Sequence, residues 1–227
     1  MRRYNTAIDW RWVKDGFLKK ERVLAVEKPG IKKSILVCAN ECLRIAKSKA
    51  VPKATLAKKK IVDMSGSSIK LEGGIRLSTG EISSSLKGAA YLYIMAVTIG
   101  RGAEEAATEY MEKGDLLRGY ILDRIGSFAC ESLAESVEGD LRKTYAPKGL
   151  SVSMRFSPGY CDFPIEEQFV LNKALDFSKI GITINKNCMM APKKSITAIV
   201  GIGPKGAFGK KRSQCETCAR LDCSYRR

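Results

Sequence analysis

Residues 155–162 read Arg-Phe-Ser-Pro-Gly-Tyr-Cys-Asp. An arginine at the end of an extended segment, a Ser-Pro-Gly turn and a helix start directly after it bring a guanidinium next to backbone N–H groups that lack helical partners. That combination suits a carboxylate. Gly159 lets the backbone approach a ligand closely, and Tyr160 adds a ring face and a hydroxyl. Taken alone, the stretch fits a plain surface arginine ahead of a turn equally well. A second constellation is Cys215-x2-Cys218-x4-Cys223, in a tail rich in lysine and arginine. Neighbouring cations favour the thiolate, and three close thiolates can ligate zinc or an iron–sulfur cluster. Cys188 or Cys161 would be the fourth ligand. The spacing differs from the two separated CxxC pairs of a zinc ribbon, so free or redox-labile thiols are the competing reading.

The chain contains no histidine. Ser-His and Cys-His dyads, HExxH zinc sites and histidine-ligated haem or cobalt are thereby excluded. Its 44% apolar and 28% charged residues are those of a globular chain, neither disordered nor fibrous. Forty basic against 24 acidic side chains give a net charge of +16, which attracts anionic partners. Nucleic acid, an acidic protein and an anionic membrane surface all qualify. So does a solvated surface, because the Lys58–Lys60 and Lys210–Arg212 runs are short. Aromatic residues make up 7% and do not interleave with the basic runs, which argues against a base-stacking platform. The longest apolar run, Ala89–Gly100, falls short of the roughly 20 residues a bilayer span needs. The N-terminal MRRYNTAIDWRWVKDG lacks the apolar stretch of a secretory signal. Eight cysteines without an export signal are expected to be reduced thiols or metal ligands, in the cytoplasm.

The elements that must position these residues follow from periodicity. Ile35, Ala39, Cys42, Leu43 and Ala46 predict a helix over 32–50, stopped by Pro52. Alternating segments at 60–63, 69–71 and 75–77, separated by Ser-Gly and Gly-Gly, predict strands with tight turns. A short helix follows over 81–86, and the apolar run 90–98 reads as a buried central strand. Residues 102–113 have helical composition. Asp115 then precedes a longer helix with Leu117, Ile121, Ile125, Phe128, Leu133 and Val137 along one face. Residues 150–156 alternate as a strand that carries Arg155 to its end. Asp162 and Pro164 open a helix to about Leu175, and 181–185 and 195–201 read as the last two strands. Cys38, Cys42 and Cys130 fall on apolar helix faces and read as core packing. The expected architecture is α+β, a single domain over 1–209 followed by a basic, Cys-rich tail over 210–227.

Within that order of elements, the Arg155-x-x-x-Gly159-Tyr160 spacing resembles the S-adenosylmethionine-binding motif of the reactivation domain of vitamin B12-dependent methionine synthase. Segments 97–105 (VTIGRGAEE), 114–135 (GDLLRGYILDRIGSFACESLAE) and 157–168 (SPGYCDFPIEEQ) are similar to blocks of that domain and of its free-standing relatives. Segments 189–203 (MMAPKKSITAIVGIG) and 215–227 (CETCARLDCSYRR) look like the C-terminal part of the free-standing forms. The resemblance implies a helmet-shaped domain with a twisted, mainly antiparallel sheet flanked by helices. Such a domain binds S-adenosylmethionine and offers its methyl group to a cobalamin held by another domain or subunit. The methionine carboxylate contact falls on Arg155 and the turn contacts on Gly159 and Tyr160, with Cys161 beside them. Ile8-Asp9-Trp10 resembles the family's acidic site for the methionine amine, which makes Asp9 a candidate; a helix N-cap is its competing reading. Asp162, Glu166 and Glu167 are further carboxylates for a cationic ligand, although the last two also suit a helix N-terminus. Two features depart from the family pattern. The late strand reads Ile199-Val200-Gly201 where the family has aromatic residues against the ligand, and the long helix lacks the histidine often found at its end.

Methyl transfer from a sulfonium to a strongly nucleophilic cob(I)alamin needs placement and exclusion of water rather than a protein acid or base, in keeping with the missing histidine. The chain has no Asp-x-His-x-x-Gly cobalamin signature. Cobalamin is therefore expected on a partner, a methionine synthase or another corrinoid protein. A flavodoxin- or ferredoxin-like electron donor is a second expected partner, since the basic surface suits acidic proteins. No membrane partner is expected. The competing function is a basic nucleic-acid-binding module with a Cys-ligated metal tail, which leaves the Arg155–Tyr160 corner unexplained.

Overall fold

The protein, seen here as a computed structural model, is described over residues 4, 6–209 and 222. In chain order it runs α1 (Trp10–Lys20), α2 (Pro29–Lys49), β1 (Lys53–Ser65), β2 (Ser68–Leu71), β3 (Arg76–Ser78), α3 (Ile82–Ser85), β4 (Tyr91–Thr98) and α4 (Gly102–Glu112). The 30-residue α5 (Leu116–Tyr145) follows, then β5 (Leu150–Phe156), α6 (Glu167–Leu175), β6 (Thr183–Ile184), β7 (Met190–Ala191) and β8 (Ser195–Pro204). Strands β3-β2-β1-β4-β8-β5 form one sheet in that spatial order, and every neighbouring pair is antiparallel. Strands β6 and β7 make a separate two-stranded ribbon. The expected α+β class with an antiparallel sheet is what the chain adopts.

The apolar run at 91–98 lies in the middle of this sheet because both of its faces are covered. Tyr93, Met95 and Val97 pack with Ala198, Val200 and Ile202 of β8 under α1, α2, α4 and α5. Leu92, Ile94 and Ala96 face the other way, into a second core with Phe156, Phe163, Leu171 and Phe177. Cys38, Cys42 and Cys130 are buried in the helical layer. Burial, reinforced by the neighbouring Cys38 thiol, pushes the Cys42 thiol up to about 12, and burial raises Cys130 as well. Neither is a nucleophile at neutral pH.

Sequence periodicity located most of these elements but missed two and displaced two. Helix α1 was not expected. Gly16 sits in its middle, where a Cβ would come within 3.1 Å of the Phe128 ring, so helix propensity gives way to close packing on α5. Strand β1 starts seven residues before the predicted segment, because Lys58, Lys59 and Lys60 hide its alternation while pairing with β4 imposes it. The two-residue β7 is too short to show a period. Helix α6 begins at Glu167 rather than at Asp162, since residues 157–163 are spent on a compact turn in which Gly159 N–H bonds to Phe163 C=O and Phe163 N–H to Tyr160 C=O.

Candidate functional site

Arg155 sits near the end of β5, and a β-bulge decides where its side chain goes. Val152 lies opposite Ile202 and Arg155 opposite Val200, so the register shifts by one residue between them. The extra residue is Ser153, whose Oγ accepts the buried Gly201 N–H at 2.8 Å in place of a ladder carbonyl. Val152 and Arg155 thereby share the face beneath α5, although regular alternation would put them on opposite faces. The sequence read as an unbroken strand, and nothing in its pattern announced the bulge.

The helix that Arg155 meets offers three carboxylates at i, i+4 and i+7. Its Nη2 donates to Glu131, and its Nη1 donates to Glu138 and, at 3.2 Å, to Glu135. The Arg155 side chain is 17% exposed and Glu138 only 1%. Glu138 also accepts from Arg142 one turn on. Burial works against the charge on Arg155, but the Glu138, Glu131 and Glu135 carboxylates outweigh it and hold the guanidinium more firmly protonated than an ordinary arginine. Among the described residues, two guanidiniums meet three carboxylates here. A ligand bearing both a carboxylate and a cation finds complements to each here. Sequence reasoning missed the glutamates. Their signal was present: Glu138 interrupts the apolar stripe Ala134–Leu141, and an acid on a buried stripe requires a cation beside it.

The turn after β5 places the remaining candidates. Gly159 has φ +88, a backbone conformation that disfavours any side chain, and a Cβ there would also meet Ile165 at 2.9 Å. Tyr160 is exposed, with its ring open to solvent. Cys161 is half-buried and takes a positive φ of +54. Asp162 turns away from Arg155 to accept the Glu81 N–H, so close to Gly80 that a Cβ on that residue would overlap its carboxylate. It lines a cleft of about 490 Å³ with Gly66, Ser67, Gly80, Glu81, Ser83 and Ser84. Arg155, Gly159 and Tyr160 do not line that cleft. Glu167 accepts from Ser78, and burial raises its pKa above the usual glutamate value. Ile199 and Val200 are fully buried in the sheet, so they present no surface to a ligand.

Asp9 is the N-cap of α1: its Oδ1 accepts the Arg11 and Trp12 N–H groups, both at 3.0 Å. Its own N–H donates to Ser132 Oγ, and Ser136 Oγ donates to Ala7 C=O. The chain before α1 is thus stitched to the same stretch of α5 that carries Glu131 and Glu135. Asp9 and Arg155, 146 residues apart in sequence, converge on one stretch of one helix.

Cys188 is buried in the turn between β6 and β7 with φ +60. Among the described residues no group of three Cys, Asp or Glu side chains is arranged to hold a metal ion. Cys215, Cys218 and Cys223 lie outside the described residues. No helix among the described residues is long and apolar enough to cross a membrane.

No curated protein shows a significant match to this chain. Among solved structures, the fold is similar to the crystal structure of the MetH reactivation domain bound to AdoHcy. The TM-score is 0.65 and the identity 18%, over 87% of this chain and 74% of that one. At that identity the likeness speaks for the fold. The family model for the activation domain of vitamin B12 dependent methionine synthase matches residues 82–210, from α3 through the end of β8, which is more than half of the chain. With strands β4, β8 and β5 of the sheet, the long helix and the β5 corner inside that match, the chain belongs to the vitamin B12-dependent methionine synthase activation-domain family.

Proposed function

We propose that this protein binds S-adenosylmethionine against the 131–138 stretch of α5 and supports reductive methylation of a cobalamin carried by another chain. The observation that carries the reading is Arg155: a strand-end guanidinium, turned by a bulge onto three carboxylates, at the motif position that the family resemblance assigns to the methionine carboxylate. The donor set fits the ligand. The ligand carries a carboxylate, an ammonium and a sulfonium, and around Arg155 the described residues offer guanidiniums for the first and carboxylates for the other two.

When bound, S-adenosylmethionine supplies an electrophilic methyl group. The chain's own task is placement. Arg155 fixes the amino-acid end, the α5 carboxylates face the cationic groups, and Gly159 and Tyr160 border the site at the turn, with Cys161 beside them. None of these residues needs to move a proton, which agrees with a chain that has no histidine. The partner is a methionine synthase or another corrinoid protein, with a flavodoxin- or ferredoxin-like electron donor, and the setting is a reducing cytoplasm, as the free thiols of the described cysteines suggest. The reading extends to the tail, where Cys215, Cys218 and Cys223, with Cys188, would hold zinc or an iron–sulfur cluster. Metal and sulfide analysis of anaerobically purified protein that finds neither iron nor zinc removes that extension.

Isothermal calorimetry tests the central reading. Saturable S-adenosylmethionine binding that disappears in Arg155→Ala is the expected result. Absence of binding in the wild-type protein, together with salt-steep binding of RNA or DNA, would replace it with the nucleic-acid reading.

A further inference from the structure

The three carboxylates around Arg155 differ in one respect that decides their roles. Glu131 and Glu135 are 43% and 36% exposed, whereas Glu138 is 1% exposed. Glu138 also divides its two oxygens, Oε1 toward Arg155 and Oε2 toward Arg142. An incoming carboxylate can displace Glu131 or Glu135 from Arg155, because each is partly exposed and can turn toward the cationic groups of the ligand. It cannot displace Glu138, whose release would strip the Arg155 contact from the buried Oε1 with no water to replace it.

We infer that Glu138 is the positioning residue of the ligand site: it holds the Arg155 guanidinium in place while Glu131 and Glu135 act as exchangeable placeholders that give way to the carboxylate of an amino-acid ligand. Arg142 steadies Glu138 from the next turn of α5, so the order of action is Arg142, Glu138, Arg155, ligand. Glu138 touches no ligand atom. The inference rests on the proposed binding of S-adenosylmethionine and adds to it a division of labour among the glutamates.

The test is calorimetry on the full chain with two probes. S-adenosylmethionine has the amino-acid end that Arg155 would grip. 5′-Methylthioadenosine has the same nucleoside and sulfur without that end. Glu138→Gln is expected to weaken S-adenosylmethionine by about tenfold or more, since it loosens a charge-assisted contact, and to leave 5′-methylthioadenosine within about twofold. Glu131→Gln and Glu135→Gln are each expected to change S-adenosylmethionine binding by less than about threefold, as for exposed pairs. Equal weakening of both probes in Glu138→Gln would mean a merely structural role and would overturn the inference. Wild-type affinity in Glu138→Gln, or an equal loss in Glu131→Gln, would overturn it as well. Wild-type protein that binds neither probe would overturn the binding reading beneath it. Should Glu138→Gln unfold the chain, Glu138→Asp keeps the charge and withdraws the carboxylate by one methylene. It is expected to show the same probe-selective loss, and an unselective loss would count against the inference in the same way.

Discussion

Helix α5 meets two cations along one stripe, and the two ends of that stripe behave differently. Asp123, Ser127, Glu131 and Glu135 follow one another at i, i+4 spacing. At the first end, Lys194 from the start of β8 reaches Asp123 at 2.7 Å and Ser127 at 2.9 Å, and the Lys194 side chain is only 9% exposed. One charge meets one charge, and the Ser127 hydroxyl accepts a further N–H hydrogen bond from the ammonium. At the second end, Arg155 and Arg142 meet three carboxylates, one of them buried. The first end is balanced and ties β8 to the helix. The second sets three carboxylates against two guanidiniums among the described residues, at a half-open position.

The contrast is broken or confirmed most directly by removing each cation. Arg155→Met leaves Glu138 in the core with Arg142 still paired to it, and is expected to cost about 3 kcal/mol of stability, in the range for breaking a buried pair. Lys194→Met leaves Asp123, which is 42% exposed and can rehydrate, so it is expected to cost about 1 kcal/mol or less. Urea unfolding of both variants measures the difference. Similar losses would mean that the two ends of the stripe do the same structural work.

The second prediction addresses what aims Arg155. Ser153→Ala removes the acceptor of the buried Gly201 N–H and is expected to cost about 1–3 kcal/mol. It should also weaken S-adenosylmethionine binding, because a strand that reverts to regular alternation points residue 155 at the opposite core. Lys194→Met touches no part of that register and should leave binding intact. A Ser153→Ala protein that is destabilised but binds as before would show that the bulge persists without its side chain.

This is also where sequence and structure part company. The succession of elements along the chain and the long helix were largely legible, because β4 and α5 bury apolar residues at their own periods. The Arg155 corner was legible as a strand and a turn, but the helix expected directly after it begins only at Glu167. The bulge was not, since Leu-Ser-Val-Ser-Met-Arg-Phe alternates well enough to pass for a regular strand. The Glu131–Glu135–Glu138 set was not, since on a helix with a net of charged residues it reads as a solvated face until the partner strand supplies a cation. Asp9 was legible in both of its readings. The structure shows the N-cap directly and places the residue beside the 131–138 stretch.

Asp9 gives the third and smaller effect. Asp9→Ala is expected to cost about 1 kcal/mol through loss of the α1 cap, whereas Asp9→Ser keeps a capping oxygen and should cost a few tenths. The pair of variants separates cap from ligand contact. If the Asp9 charge also faces the methionine amine, Asp9→Ser will be nearly as stable as wild type but bind S-adenosylmethionine several-fold more weakly, by about the strength of one exposed charge pair. Equal affinity in Asp9→Ser would confine Asp9 to the cap and leave the cation to the α5 carboxylates alone.

The smallest effect comes from a carboxylate on the opposite side of the sheet that has no cation beside it. Glu167 accepts from Ser78, yet its Oε2 is buried without a hydrogen-bond partner, and burial raises its pKa above the ordinary 4.5. A raised acid binds its proton in the folded state at a pH where the unfolded chain has already released it. This residue's contribution to stability is therefore greatest at and below pH 4.5 and is lost as pH rises through the folded pKa. Glu167→Gln, which carries no charge at any pH, should be more stable than wild type at neutral pH, and the gap should close as pH falls toward 4.5. Urea unfolding of the two proteins across that interval reads the gap directly. A gap that does not change with pH would mean that Glu167 finds a partner on this face and that its burial does not raise its pKa.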